Sequence, residues 1–103
     1  MSRFYAVFAT DKPDMREVRE RVRPSHRTYL RSAAQDGVFV RLGGPTLAPH
    51  CNVMNGTLLV VEADDIDAVM QFVGNDPYMK EGLFARVEVR PWDWSLGNPE
   101  RRV

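Results

Sequence analysis

Apolar residues follow two rhythms along this chain, and each change of rhythm marks a new element. Residues 4–9 are apolar without a break and run into Thr10, Asp11, Lys12 and Pro13. A short apolar run closed by turn formers predicts a strand covered on both faces. In residues 14–22, Met15, Val18 and Val22 recur at helical spacing among charges, which predicts a charged helix with a narrow apolar stripe. The stripe continues past Pro24 to Leu30, Ala33 and Ala34. Proline lacks an N–H and suits only a helix's first turn, so the spacing predicts two helical pieces, the second starting near Pro24 and stopping at Gly37. His26 would then lie in a first turn, with its backbone polarity set by Pro24.

Residues 38–42 alternate, and Gly43, Gly44 and Pro45 are expected to end that strand. Residues 46–55 are turn-like, with Pro49, Asn52 and Asn55, and should be the most mobile internal segment. Residues 56–63 are again nearly all apolar and β-branched. Asp64 and Asp65 resemble a helix cap, followed by Ile66, Val69, Met70 and Val73 at helical spacing. Gly74, Asn75, Asp76 and Pro77 break that helix and open a short helical turn ending near Gly82. Residues 84–90 alternate and close at Pro91.

The order is β-α-β-β-α-β, the split βαβ or ferredoxin-like arrangement of the α+β class. Its four-stranded antiparallel sheet has the first and third strands in the centre, which agrees with their unbroken apolar runs. The alternating edge strands should place Phe39, Arg41, Phe84, Arg86 and Glu88 on the second sheet face. Helices cover only one face of such a sheet. Central strands that are apolar on both faces therefore need a second cover, and another subunit is the simplest one, giving a homodimer. Residues 1–91 form the domain. Residues 92–103 are read as a tail, whose Trp92 and Trp94 suggest docking, with a partner subunit one candidate surface.

Composition narrows the function. Apolar content of 44% and charge of 27% belong to an ordinary globule. Lys+Arg and Asp+Glu both number 14, so the basic excess of a nucleic-acid binder is missing. Six arginines lie between Arg16 and Arg31; a solvated helix face explains them more simply than an anion-steering patch. No apolar run approaches a membrane span. A single cysteine, Cys51, and no leader-like start point to the cytoplasm. His50 beside Cys51 has no third ligand at useful spacing, so no metal site is expected. Gly43, Gly44 and Pro45 lack a nucleotide-binding spacing, and nothing calls for a cofactor.

Arg23, Pro24, Ser25 and His26, then Gly43, Gly44 and Pro45, Gly56, then Asp76, Pro77 and Tyr78, and Gly82 together resemble the YCII-related family. The resemblance runs from about Phe4 to Pro91 and rests on the order and spacing of short motifs. It implies a dimeric ferredoxin-like fold, a dimeric α/β barrel similar to muconolactone isomerase. The family's characteristic histidine and aspartate match His26 and Asp76, and the resemblance implies an active site there. Relatives with assigned chemistry act on halogenated or hydroxylated aromatic breakdown products by dehydrohalogenation or proton transfer.

Each candidate also has a plainer reading. An imidazole can exchange a proton near neutrality, yet from the residues alone a buried, hydrogen-bonded structural histidine is the preferred reading of His26, and it is the resemblance that favours a functional one. Asp76 before a proline is explained by an N-cap; it would also serve as an orienting carboxylate. In a split βαβ fold the two segment starts lie on one sheet face, so His26 and Asp76 are expected to touch. Tyr78 and Tyr29 offer hydroxyls to a ligand but also suit packing. Arg23, Arg41 and Arg86 are candidates for binding a substrate anion, with surface or interface ion pairs as the alternative. The leading expectation is a small cofactor-free acid–base enzyme acting on a small organic acid or ring-cleavage product. A non-catalytic ligand-binding or accessory module is the alternative, and a haem- or quinone-linked monooxygenase relative is the least favoured.

Overall fold

The period-two pattern of the first run becomes a strand whose two faces meet different surroundings. In the computed structural model, which describes residues 3–32 and 37–100, this strand is β1 (Arg3–Asp11). Tyr5, Val7 and Ala9 are buried on one face, and Phe8 and Thr10 are exposed on the other. The remaining elements are α1 (Arg16–Ser32), β2 (Phe39–Leu47), β3 (Met54–Ala63), α2 (Ile66–Gly74), α3 (Pro77–Lys80) and β4 (Phe84–Trp92).

All four strands form one antiparallel sheet in the order β2-β3-β1-β4. The apolar strands β1 and β3 are central, as their composition requires. Tyr5 pairs with Val61 and Val7 with Leu59. This face packs against Val69, Phe72 and Val73 of α2 and against Tyr29 and Leu30 of α1. Burial of each such side chain contributes about 1.5–3 kcal/mol. The Tyr29 ring stacks on Phe72, and its hydroxyl donates to the Phe72 carbonyl at 2.7 Å, so Tyr29 is committed to the core. A second cluster of Val22, Tyr78 and Leu83 joins α1 to α3, with Phe84 against it. Asp65 caps α2, accepting from the Ala68 N–H at 2.9 Å. The fold is ferredoxin-like α+β.

Four local expectations are corrected. The helix does not divide at Pro24: α1 is continuous, starts at Arg16 and carries Pro24 inside it. Proline costs Glu20 a helical partner for its carbonyl, but buried Val22 and His26 on either side anchor the helix to the core. His26 is therefore in mid-helix. The expected contributions of Ala33 and Ala34 lie outside the described residues.

Gly43, Gly44 and Pro45 lie within β2 rather than ending it. β2 is an edge strand, where a missing proline N–H is tolerated. The turn-like segment shrinks accordingly, to residues 48–53, and Thr46 and Asn55 bond across the strand ends at 2.7 Å. Phe84 is not on the second face. A bulge opposite Thr10 and Asp11 shifts the β4 register, and Phe84 meets Tyr78 edge-on at 5.8 Å. Arg19 leaves the solvated arginine run: it is 4% exposed.

The second sheet face presents Phe8, Phe39, Leu42 and Leu58, all substantially exposed. Trp94 folds back on its own chain, meeting Phe4 edge-on at 5.4 Å and stacking on Trp92. Among the described residues no helix is long and apolar enough to cross a membrane.

Gly56 shows how closely β3 lies against β1. A Cβ there would strike the Ala9 carbonyl and lie 2.6 Å from the Thr46 hydroxyl. Gly56→Ala should lower stability by about 1–3 kcal/mol in urea unfolding. An unchanged midpoint would show that the strands separate freely at this point.

Candidate active site

Residues 19, 22 and 26 of α1 are spaced by three and four, and all three side chains turn inward. His26 is 6% exposed and faces the start of α3. There Asp76 is the N-cap, in extended conformation before Pro77, and its Oδ1 accepts from the Tyr78 N–H at 2.9 Å. The same carboxylate lies 2.8 Å (Oδ1) and 2.9 Å (Oδ2) from His26 Nδ1. A carboxylate at that distance is an acceptor, so Nδ1 carries the proton and donates. The other ring nitrogen, Nε2, bonds to no group of the described residues and is left for the cleft that His26 lines. The contact joins the middle of one helix to the N-cap of another rather than two helix starts. The positive end of α1 has no part in it.

Tyr78 completes the setting. Its ring stacks on the imidazole with centroids 4.0 Å apart and planes 19° apart. The Arg19 guanidinium lies 4.7 Å from the same ring centroid. Arg19 is itself held by Asp11, with Nε donating at 2.6 Å and Nη2 at 2.9 Å, and Nη2 also donates to the Thr57 hydroxyl at 2.8 Å. Burial opposes the Arg19 charge, but the bond to Asp11 and its charge outweigh that and raise its pKa above the ordinary value. Burial also raises the Tyr78 phenol above its usual range, against the pull of Arg19 and Arg23. The phenol therefore stays protonated at neutral pH.

The cleft lies between α1 and the β2 edge of the sheet and encloses about 160 Å³. Arg23, His26 and Arg27 line it from α1, Gly43 and Pro45 from β2, Thr57 and Leu59 from β3, and Tyr78 from α3. A Cβ at Gly43 would lie 2.7 Å from Leu59 Cδ2, so glycine lets β2 pass close over the floor of the cleft.

Of the residues expected at the site, His26, Asp76, Tyr78 and Arg23 come together. Arg41 and Arg86 do not: both lie on the other face of the sheet. Arg41 donates to Glu62 at 2.9 Å and is paired with Glu100, and Arg86 is exposed opposite Thr10. Sequence reasoning missed Asp11, Arg19 and Thr57. A signal existed for two of them, since Asp11 continues the inward parity of Tyr5, Val7 and Ala9, and Arg19 shares the inward spacing of Val22 and His26. His50 and Cys51 sit exposed on the β2–β3 connection.

The model of the YCII-related domain matches residues 3–93. The chain belongs to the YCII-related family. This YCII-related chain is 29% identical over 93 residues to Protein YciI of Escherichia coli O6:H1, across 85% of its own length and 94% of that protein. Its fold is similar to that of 5-chloro-2-hydroxyhydroquinone dehydrochlorinase (TftG) from Burkholderia phenoliruptrix AC1100, solved in complex with 2,5-dihydroxybenzoquinone. That similarity has a TM-score of 0.78 and 33% identity, over 87% of this chain and 93% of the enzyme. A dimeric ferredoxin-like protein of unknown function from Bacteroides fragilis NCTC 9343 shares the fold at TM-score 0.55 and 17% identity, over 90% and 96% of the two chains.

The double duty of Asp76 can be separated by substitution. Asp76→Ala removes both the cap and the imidazole's partner and should cost about 2–4 kcal/mol. Asp76→Asn keeps a capping oxygen and should cost clearly less, as urea unfolding would show. Equal losses would mean that the cap contributes nothing.

The raised phenol pKa of Tyr78 means that the folded chain keeps a proton the unfolded chain gives up in alkali. That contribution is intact below the ordinary tyrosine pKa and is lost as pH rises through the folded value. Wild type should therefore lose stability in this range faster than Tyr78→Phe. Parallel stability–pH curves would contradict it.

Proposed function

We propose that this protein is a small acid–base enzyme that needs no cofactor, acting on a small organic acid or a hydroxylated aromatic ring-cleavage product. The carrying observation is the buried His26–Asp76 pair, which commits Nδ1 to the carboxylate and leaves Nε2 at the mouth of a cleft of ring-sized volume. His26 is the base, taking a proton from substrate O–H or C–H at Nε2. Asp76 is the orienting residue: it holds the ring and stabilises the imidazolium that forms. On a halogenated ring the same step becomes an elimination, in which the halide leaves with its bonding electrons as the proton passes to His26. The similarity to a dehydrochlorinase supports that variant of the chemistry.

Tyr78 borders the cleft with the small part of its ring that the imidazole and the Arg19 guanidinium leave free, and Arg23 supplies a charge for a substrate anion. Arg41 and Arg86 contribute at a subunit interface, since the second sheet face carries them beside Phe8, Leu42 and Leu58. The protein works as a homodimer through that face, in the cytoplasm. Residues 1–91 form the working domain, with residues 92–103 as a tail whose first residues are packed on it, Trp92 in β4 and Trp94 against Phe4.

The test is turnover of 5-chloro-2-hydroxyhydroquinone and related halogenated or hydroxylated ring acids, monitored by chloride release and ring absorbance. His26→Ala and Asp76→Asn should each lower turnover roughly 100-fold or more while leaving the fold intact. Binding without turnover across the panel would move the protein to the ligand-binding class. Light scattering at micromolar concentration should show a dimer, burying roughly 2,000 Å² in total. A stable monomer would remove the interface role of the second face.

A further inference from the structure

The face of α1 that overlooks the cleft carries a column of three arginines. Arg19, Arg23 and Arg27 are spaced four apart, so their side chains rise one above another, with His26 alongside. The fold treats them unequally. Arg19 is buried and fully engaged by Asp11 and Thr57. Arg23 is half-buried, Arg27 is exposed, and both line the cleft. Neither is joined to a carboxylate of any described residue, whereas outward Arg16 and Arg21 of the same helix face Glu20 and Glu81.

Like charges at i and i+4 destabilise a helix. Here two of them converge on one cavity, and no carboxylate of a described residue is bonded to either. Apart from His26, Thr57 and Arg19, the remaining side chains of the lining are apolar or aromatic: Leu30, Leu59, Pro45 and Tyr78. Its volume of about 160 Å³ suits one benzene-sized ring.

We infer that Arg23 and Arg27 form a two-arginine clamp for an anionic oxygen, carboxylate or ionised ring hydroxyl, on a single-ring ligand whose body lies against Leu30 and Pro45. Arg27 is then a specificity residue that selects the ionised ligand over its neutral form. The clamp rests on the acid–base reading of His26 for the chemistry after binding, and on the column of arginines for binding itself. An empty clamp carries a repulsion that an anion relieves, so occupancy should stabilise the protein by mass action.

The experiment is calorimetric titration and thermal melting with two anionic probes and their neutral counterparts, at low and at high salt. 2,5-Dihydroxybenzoquinone presents ionised ring oxygens, with 2,5-dimethoxybenzoquinone as a neutral analogue; benzoate presents a carboxylate, with benzamide as a neutral analogue. The wild type should bind at least one anion about tenfold or more tightly than its neutral counterpart, and less tightly at high salt. Which anion binds tells ring oxygen from carboxylate. Arg23→Gln and Arg27→Gln should each weaken that anion about tenfold or more, whereas Arg21→Gln on the outward face should not. Without ligand, Arg27→Gln should melt at the same temperature as wild type or higher.

Equal affinity for anion and neutral form overturns the clamp, as does an affinity unchanged in both cleft variants. Failure of both anions to bind the wild type overturns it too. His26→Ala separates the two ideas. If it keeps the arginine-dependent binding and loses turnover, both readings stand. If it keeps both, only the acid–base reading falls. Loss of turnover in His26→Ala, with anion affinity indifferent to Arg23 and Arg27, removes only the clamp.

Discussion

One buried carboxylate ties the two halves of this structure together. Asp76 is 4% exposed, and its charge is compensated from two directions, by the Tyr78 N–H and by His26 Nδ1. Burying a carboxylate without such partners would cost several kcal/mol. The same bonds start α3, pin the middle of α1 to it and choose which imidazole nitrogen is left over. A side chain that a local rule explains fully as a helix cap thus also holds the ring of a residue fifty positions away.

A buried ion pair, Asp11 with Arg19, stands behind this contact. It closes the end of β1 onto α1 and brings the Arg19 guanidinium onto the ring that stacks against His26. Tyr78 is the shared element: its N–H caps on Asp76, and its ring touches both the imidazole and the guanidinium. The position of His26 is therefore determined by packing on one side and by charge on the other. Rigid support of this kind is what the base role proposed for His26 would require, because misplacement by about 1 Å is costly.

What was legible in the sequence was local or set by parity. The unbroken apolar runs identify β1 and β3 as central, and Asp65 and Asp76 read as caps because a cap needs only the next three residues. Contact between His26 and Asp76 was legible from topology, although through the wrong piece of helix. Pro24 concealed the continuity of α1, because tertiary burial of Val22 and His26 outweighs a local penalty. Gly43 and Pro45 looked like the end of a strand because the tolerance of an edge position shows only once the neighbours are known. Arg19 looked solvated because its partners Asp11 and Thr57 lie on two strands whose place beside α1 only the fold fixes. The bulge opposite Asp11 moved Phe84 to the inner face, and no alternation pattern announces a bulge.

The central claim is that Asp76 holds His26 with the proton on Nδ1 and the lone pair of Nε2 aimed into the cleft. Nitrogen-15 NMR of the histidine ring reads this directly from the shifts and one-bond couplings of the neutral imidazole. His26 in the wild type should show a protonated Nδ1 and an unprotonated Nε2, with that preference lost in Asp76→Asn. A wild-type His26 carrying its proton on Nε2 would contradict it.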